Sequence, residues 1–192
     1  MPGKYIFVCL IFLLGTGITA RADSVLQADY DKFRSLPDNE NKVDSLLLLA
    51  REYWYQDPMM CIEIAHYGYE ISVQGNYREK KADALNIIGA GYYFLEQLDS
   101  AVHYFNQSLD LCYGLDYKEG IARVTNNLGL IHDFLGNYDR AIEYYYMSLE
   151  IEKESNNNQG IASTYLNIGS IYVYLEEYDK ALEYLTNSLR LY

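Results

Sequence analysis

Two stretches of equal length decide the fold. Residues 121–152 read IARVTNNLGLIHDFLGNYDRAIEYYYMSLEIE, and residues 161–192 read IASTYLNIGSIYVYLEEYDKALEYLTNSLRLY. When the first stretch is placed on the second, so that Ile121 lies on Ile161, 13 of the 32 positions are identical and no gap is needed. A fixed period of this kind indicates a repeat protein, in which each structural unit packs against its neighbours.

The 40-residue step also extends towards the N-terminus. Identical residues keep this step in several sets of three, among them Gly89, Gly129 and Gly169; Ala101, Ala141 and Ala181; and Ser108, Ser148 and Ser188. We therefore expect four units, which are a degenerate repeat at 41–80 and repeats at 81–120, 121–160 and 161–192, after a short polar lead-in at 23–40. The last unit is interpreted as truncated, because Tyr192 aligns with Cys112 and no polar capping helix follows it.

Each unit has the pattern of two helices. In the third unit, apolar residues recur at spacings of three and four over 121–135 and again over 138–151, which is typical of amphipathic helices. Gly136-Asn137 separates the two helices, and the polar run 156–160 is expected to be the loop that closes the unit. The predicted fold is all-α, a right-handed solenoid of antiparallel helix pairs.

This pattern resembles the tetratricopeptide repeat family over about residues 41–192. The first-helix signature is present as Ile88-Gly89-x2-Tyr92 and Ile168-Gly169-x2-Tyr172, and the second-helix signature as Ala101-x3-Phe105 and Ala141-x3-Tyr145. The units have a 40-residue period instead of the 34-residue one of the family, and the usual closing proline is missing. This long form is similar to the subgroup found in bacterial peptide-responsive regulators, kinesin light chains and polarity-complex adaptors.

The composition and the motifs argue against two classes of function. A formal charge of -12, from 15 basic and 27 acidic residues, does not favour nucleic-acid binding. No phosphate-binding loop, dinucleotide fingerprint or nucleophile motif occurs, and the three histidines lie on different predicted helices. We therefore predict no catalytic, cofactor-binding or metal-binding residues, and we do not expect this chain to be an enzyme.

The N-terminus has the features of a secretory signal peptide over residues 1–22. Lys4 precedes the apolar run 5–14, and Ala20-Arg21-Ala22 forms a cleavage site before Asp23; an uncleaved anchor is the alternative. No later stretch has the roughly 20 apolar residues needed to cross a membrane. The mature chain, whose charge is -14 once Lys4 and Arg21 are removed, is expected in the periplasm or outside the cell. Its two cysteines, Cys61 and Cys112, are predicted to be separate buried thiols.

The concave groove of the predicted solenoid is the candidate binding surface. Its candidate residues are Phe94 from the second repeat, Arg123, Asn127, Leu130 and Phe134 from the third, and Ser163, Asn167, Ser170 and Tyr174 from the fourth. The resemblance implies that Asn127 and Asn167 bind a peptide backbone, for which an amide supplies both a donor and an acceptor. Alternatively, these asparagines tie one helix to the next repeat's backbone. Arg123 is the only base on this surface, so a basic carboxylate clamp is not expected.

The predicted function is therefore that of a non-enzymatic, exported interaction module that binds a peptide or a protein in its groove. The sequence leaves the oligomeric state open. By resemblance to exported bacterial arrays, the alternative is the periplasmic sensor part of a truncated membrane signalling protein. Such a protein would carry a histidine kinase, a nucleotide cyclase, a phosphatase or a DNA-binding regulator beyond the array.

Overall fold

The computed structural model describes residues 28–191. The predicted signal peptide at 1–22 and the last residue, Tyr192, lie outside this range. All regular secondary structure between residues 28 and 191 is helical, which confirms the all-α fold class. No helix in this range is long and apolar enough to cross a membrane.

The chain divides into two compact units after Pro37. In the first unit, α1 covers residues 28–34 and ends in a turn where Ser35 and Leu36 donate their backbone N–H groups to the carbonyls of Lys32 and Phe33. Part of the predicted lead-in at 23–40 is therefore helical.

The second unit contains eight helices that pack as four consecutive pairs. They are α2 (Glu40–Glu52) and α3 (Pro58–Gly75), α4 (Arg78–Phe94) and α5 (Leu98–Leu115), α6 (Lys118–Phe134) and α7 (Tyr138–Glu154), and α8 (Asn158–Tyr174) and α9 (Tyr178–Leu189). Each helix packs against the next one along the chain, and the first helices of successive pairs also contact each other. This arrangement is a helical solenoid.

The six turns that connect α3 to α9 are short, and each contains a residue in a left-handed backbone conformation. Positive φ angles occur at Asn76, Glu96, Asp116, Gly136, Asn156 and Glu176. The prediction of a loop over 156–160 is wrong at its C-terminal end, because α8 already begins at Asn158. The side chain of Asn157 accepts a hydrogen bond from the backbone N–H of Gly160 at 3.2 Å and so caps the helix.

The repeated glycines allow the two helices of a pair to approach closely. A Cβ atom on Gly89 would lie 2.7 Å from the ring of Phe105, and one on Gly129 would lie 2.5 Å from the ring of Tyr145. Gly169 faces Leu185 in the same way. The glycine of the first helix and its large partner in the second helix therefore form one contact that recurs in each of these three pairs.

The two cysteines of the described chain are both buried and free, as expected. Burial raises the pKa of the Cys61 thiol to about 12 and that of Cys112 to about 11. Both side chains are therefore neutral thiols at physiological pH and pack as small apolar groups.

Candidate functional site

The first helices line a polar cleft of about 420 Å³, which contains three of the predicted groove residues: Arg123, Asn127 and Ser163. The other lining residues include Arg51, Trp54, Asn86, Asn126, Ser148 and Glu152, which sequence reasoning did not identify as site residues. We call this volume the polar cleft. It extends along α6 and is bordered by residues of α2, α4, α7 and α8.

The other predicted groove residues lie outside the lining of the polar cleft. Three of them are aromatic: Phe94 packs against Tyr55 with ring centroids 4.6 Å apart, whereas Phe134 and Tyr174 are 44% and 60% exposed. Leu130 packs against the core between the third and fourth pairs. The Ser170 hydroxyl donates to the Leu166 carbonyl of its own helix at 2.9 Å.

The two predicted asparagines connect neighbouring first helices. Asn127 Nδ2 donates to Asn86 Oδ1 at 2.9 Å, and Asn167 Nδ2 donates to Asn126 Oδ1 at 3.2 Å. The alternative prediction was a link of this kind to the backbone of the next repeat. In the structure the acceptor is instead an asparagine side chain on the first helix of the preceding pair.

These links leave one donor and one acceptor in the polar cleft. Asn126 Nδ2 and Asn127 Oδ1 make no hydrogen bond with any residue in 28–191. They belong to consecutive residues of α6, and both residues line the cleft. Two neighbouring asparagines therefore supply the donor and the acceptor that we expected from one amide side chain. Asn126 could have been predicted as a site residue from the repeat alignment, because it is equivalent to Asn86 of the preceding unit.

Arg123 is part of a buried polar cluster rather than a free base. Its Nη2 donates to Asp83 Oδ1 at 2.5 Å and to the Tyr117 hydroxyl at 2.6 Å, and Asp83 is only 9% exposed. Burial alone would lower the pKa of Arg123, but attraction to Asp83 and Tyr117 outweighs burial and raises it. The Arg123 guanidinium is therefore permanently charged and links α6 to α4.

Arg51 brings a second guanidinium to the polar cleft, so the expectation that Arg123 is the only base on the groove surface is wrong. It lies in the last turn of α2 and makes no ion pair with any described residue. Burial lowers its pKa, and repulsion from Arg123 lowers it further. Arg51 could have been predicted as a site residue from the repeat alignment. The equivalent positions of the later units are buried and small or apolar, namely Gly91, Ile131 and Ile171. A base at a position that is otherwise small or apolar is unusual.

Ser148 departs from the pattern of the other repeats. The equivalent hydroxyls of Ser108 and Ser188 each donate to a carbonyl of the preceding helix at 2.7 Å. In the third pair, the corresponding carbonyl of Ala122 accepts a hydrogen bond from Thr125 Oγ1 at 3.1 Å instead. The buried Ser148 hydroxyl has no hydrogen-bond partner in the described structure.

Carboxylates line another part of the polar cleft. Glu152 is 7% exposed, and Glu119 is exposed. Burial raises the pKa of Glu152, while Asn157 and Arg123 oppose that rise. The polar cleft is therefore lined by both positive and negative charges. Arg123 is near enough to both kinds to lower the pKa of Arg51 by repulsion and to oppose the rise in the pKa of Glu152 by attraction.

The histidines do not form a site with other ligands. His132 is half-buried and stacks on Tyr144 with ring centroids 5.4 Å apart, and His103 is exposed. Across residues 28–191, no group of three or more His, Cys, Asp or Glu side chains is arranged to hold a metal ion.

Comparison with known proteins gives one family match and several structural matches. The family model described as tetratricopeptide repeat matches residues 120–192. No curated protein matches the chain. The solved structures described next share between 18% and 23% identity with this chain, and they support the fold alone.

Two of these structures are much longer than this chain. Aspartyl phosphate phosphatase F from Bacillus subtilis has a TM-score of 0.74 at 20% identity, over 90% of this chain and 45% of that one. The Rap conjugation gene regulator of plasmid pLS20, in complex with the Phr* peptide, has a TM-score of 0.78 at 18% identity, over 89% of this chain and 48% of that one. This chain thus spans about half the length of either protein.

A third structure is similar in length. MamA has a TM-score of 0.55 at 23% identity, and the alignment covers 90% of each chain. All three likenesses agree with the paired helices described above. The chain has a tetratricopeptide-like helical solenoid fold, and its residues 120–192 match the tetratricopeptide repeat family itself.

Proposed function

We propose that this chain is a non-enzymatic interaction module that binds a peptide, or an extended segment of a protein, in the polar cleft. The observation that carries this proposal is the pair of hydrogen-bonding atoms, Asn126 Nδ2 and Asn127 Oδ1, that have no partner in the described chain. An extended peptide backbone offers a carbonyl and an N–H in alternation, so it can satisfy both atoms.

Similar solved structures show that a fold of this kind can hold a ligand. One similar structure is described as a Rap regulator in complex with the Phr* peptide, and another as a Rap protein complexed with competence and sporulation factor. Those ligands belong to those proteins. For this chain, the likeness supports a helical-repeat scaffold of a kind that can hold a peptide, and the residues that would bind it are its own.

Peptide capture tests the proposal directly. The full chain, immobilised on beads, is incubated with a random-sequence pool of short peptides, and mass spectrometry identifies those retained. We expect Asn126→Leu to reduce retention by roughly tenfold, because the donor is lost. Leu166 occupies the same position in the fourth repeat. Because the substitution also removes the acceptor of Asn167 Nδ2, the melting temperature of the variant is measured together with its retention.

The matched control is Asn106→Leu, which makes the same change at an exposed position of α5 outside the cleft. Retention by this variant should equal that of the unaltered chain. If the unaltered chain retains no peptide, or if both variants lose retention equally, the polar cleft is not the binding site.

Export is part of the same proposal. Residues 1–22 have the features of a signal peptide, so the mature chain is expected to begin at Asp23 and to act in the periplasm or outside the cell. Mass spectrometry of the exported protein measures its N-terminus directly. A mature protein that retains residues 1–22 would contradict cleavage.

The second candidate is the sensor part of a larger signalling protein. It is favoured by apolar side chains on α8 and α9, since Leu166, Leu182 and Leu189 are 46%, 68% and 76% exposed. A further helical segment of such a protein would cover them. The gene downstream of codon 192 tests this candidate: a spanning helix followed by a signalling domain supports it, and an immediate stop codon contradicts it.

A further inference from the structure

The polar cleft contains a guanidinium charge that no described carboxylate neutralises by direct contact. Arg51 lines the cleft from the last turn of α2, and none of its guanidinium nitrogens has a hydrogen-bond partner among residues 28–191. Its Nε is buried, as is the Nε of Arg123, which likewise has no partner in this range. A buried charge is unfavourable unless a counter-charge is close to it, and a buried donor is unfavourable unless it is hydrogen-bonded.

Two guanidinium groups share one buried carboxylate at this part of the cleft. Arg51 and Arg123 are near enough to repel each other, and both are attracted to Asp83. Asp83, however, already accepts hydrogen bonds from Arg123 and from the Tyr117 hydroxyl. The cluster of these four side chains therefore has one positive charge in excess, and that excess lies at Arg51.

Resting on the proposed function, we propose that the terminal guanidinium nitrogens of Arg51, which are not buried and make no hydrogen bond with a described residue, bind a carboxylate group of the peptide held in the polar cleft. A carboxylate would supply the missing counter-charge and accept hydrogen bonds from Arg51 donors that have no partner among residues 28–191. The planar guanidinium suits this role because its N–H groups can bind both oxygens of a carboxylate at once. Trp54, which also lines the cleft, adds an aromatic surface beside the site.

A carboxylate fits the surrounding charges better than a phosphate does. Glu119 and Glu152 line the same cleft, and Asp83 lies behind the arginines. These acidic groups repel a doubly charged phosphate more strongly than a singly charged carboxylate. The carboxylate can come from the C-terminus of the peptide or from an Asp or Glu side chain, and the two sources can be separated experimentally.

Four peptide pools separate these sources. The immobilised full chain is incubated with random-sequence short peptides made with and without Asp and Glu, each as a free acid and as a C-terminal amide. We expect the amidated pool without Asp and Glu to be retained on the order of tenfold less than the best acidic pool. Loss on amidation alone identifies the C-terminus, and loss on omission of Asp and Glu identifies a side chain.

Variants of Arg51 then test the residue itself. Arg51→Gln should lower retention of the best acidic pool to the level of the neutral pool. Arg51→Lys keeps the charge but loses the planar guanidinium, so its retention should be intermediate. The control is Arg78→Gln, which removes one positive charge at the exposed start of α4 and should leave retention unchanged. Without peptide, Arg51→Gln should melt no lower than the unaltered chain, because it removes an unpaired charge from the cleft.

The outcomes distinguish this inference from the proposed function. Equal retention of all four pools would overturn the role of Arg51 and leave peptide binding intact, whereas retention of none would overturn both. Elution of the retained peptides by N-acetylglycine at lower concentration than by inorganic phosphate would support a carboxylate site. The reverse order of elution would overturn the choice of a carboxylate.

Discussion

At the residue scale, the two polar atoms of the Asn127 side chain differ: Nδ2 makes a hydrogen bond between two helices, whereas Oδ1 has no partner among the described residues. Its Nδ2 is bonded to Asn86 Oδ1, and Asn86 is 5% exposed. We predict that Asn127→Ala lowers the free energy of unfolding by about 1–3 kcal/mol, because the Asn86 oxygen then loses its partner in a buried position. Urea denaturation measures this change.

Asn106→Ala provides the comparison for that prediction. Asn106 is exposed on α5, so its replacement should change the free energy of unfolding by no more than about 0.5 kcal/mol. If Asn127→Ala costs as little as this control, the Asn127–Asn86 hydrogen bond does not contribute to stability. The side chain would then be available for a ligand in full.

Glu152 makes stability depend on pH in a defined direction. Burial raises its pKa above the usual 4.5, so its neutral form is favoured in the folded state. The stability that this gives is fully present below pH 4.5 and is lost as the pH rises through the raised value. We predict that Glu152→Gln, which stays neutral, increases the melting temperature more at pH 7 than at pH 4.

Glu154→Gln should show the opposite pH dependence. Lys118 lies 2.9 Å from the Glu154 carboxylate and lowers its pKa, so the stability from this pair is present above the usual pKa and is lost as the pH falls. Because the pair is exposed, the effect of this substitution should be small. Identical pH profiles for the two variants would contradict the burial of Glu152.

At the scale of the helix pair, contact between a glycine and an aromatic ring sets the packing distance. A Cβ atom at Gly129 would lie 2.5 Å from the fully buried ring of Tyr145. We predict that Gly129→Ala destabilises the chain by about 1–3 kcal/mol, since the rigid ring has no space to withdraw. Differential scanning calorimetry measures the loss.

Gly114→Ala is the matched change in α5. Apart from its chain neighbours and the backbone of its own helix, no described atom lies within 4 Å of the position that its Cβ would occupy, so this substitution should stabilise the helix by about 0.4–1 kcal/mol. Opposite signs for the two glycines are the expected result. A neutral Gly129→Ala would mean that α6 and α7 are further apart than in the structure.

The helix pairs could be predicted from the sequence because their pattern is periodic. Gly89, Gly129 and Gly169 keep the 40-residue step, and the contacts they make keep the same step. The start of α8 was misplaced because Asn158, Gln159 and Gly160 are polar and resemble a loop. Capping by Asn157 decides that boundary, and hydrophobic periodicity does not report it.

Part of the polar cleft was harder to predict because two of its residues depart from the repeat, one in residue type and one in bonding. Arg51 occupies a position that is small or apolar in later units, and Ser148 lacks the bond that Ser108 and Ser188 make. A search for repeated residues passes over Arg51, and it finds Ser148 without indicating that its hydroxyl has no partner within the described chain. Arg123 was found, but its pairing with Asp83 depends on side-chain geometry that spacing alone does not specify.

At the scale of the whole solenoid, stability should depend on which neighbour covers each position. Leu149 and Leu189 occupy the same position in the third and fourth pairs, yet Leu149 is 3% exposed and Leu189 is 76% exposed. Leu149 belongs to the core cluster that joins the third pair to Ile161 and Ile168 of α8. We predict that Leu149→Ala costs about 2–5 kcal/mol, because it leaves a cavity at this interface. Leu189→Ala should change stability by no more than about 0.5 kcal/mol.

Urea denaturation of both variants at several protein concentrations checks the prediction. A large, concentration-dependent loss for Leu189→Ala would mean instead that a second copy of the chain covers α9 in solution.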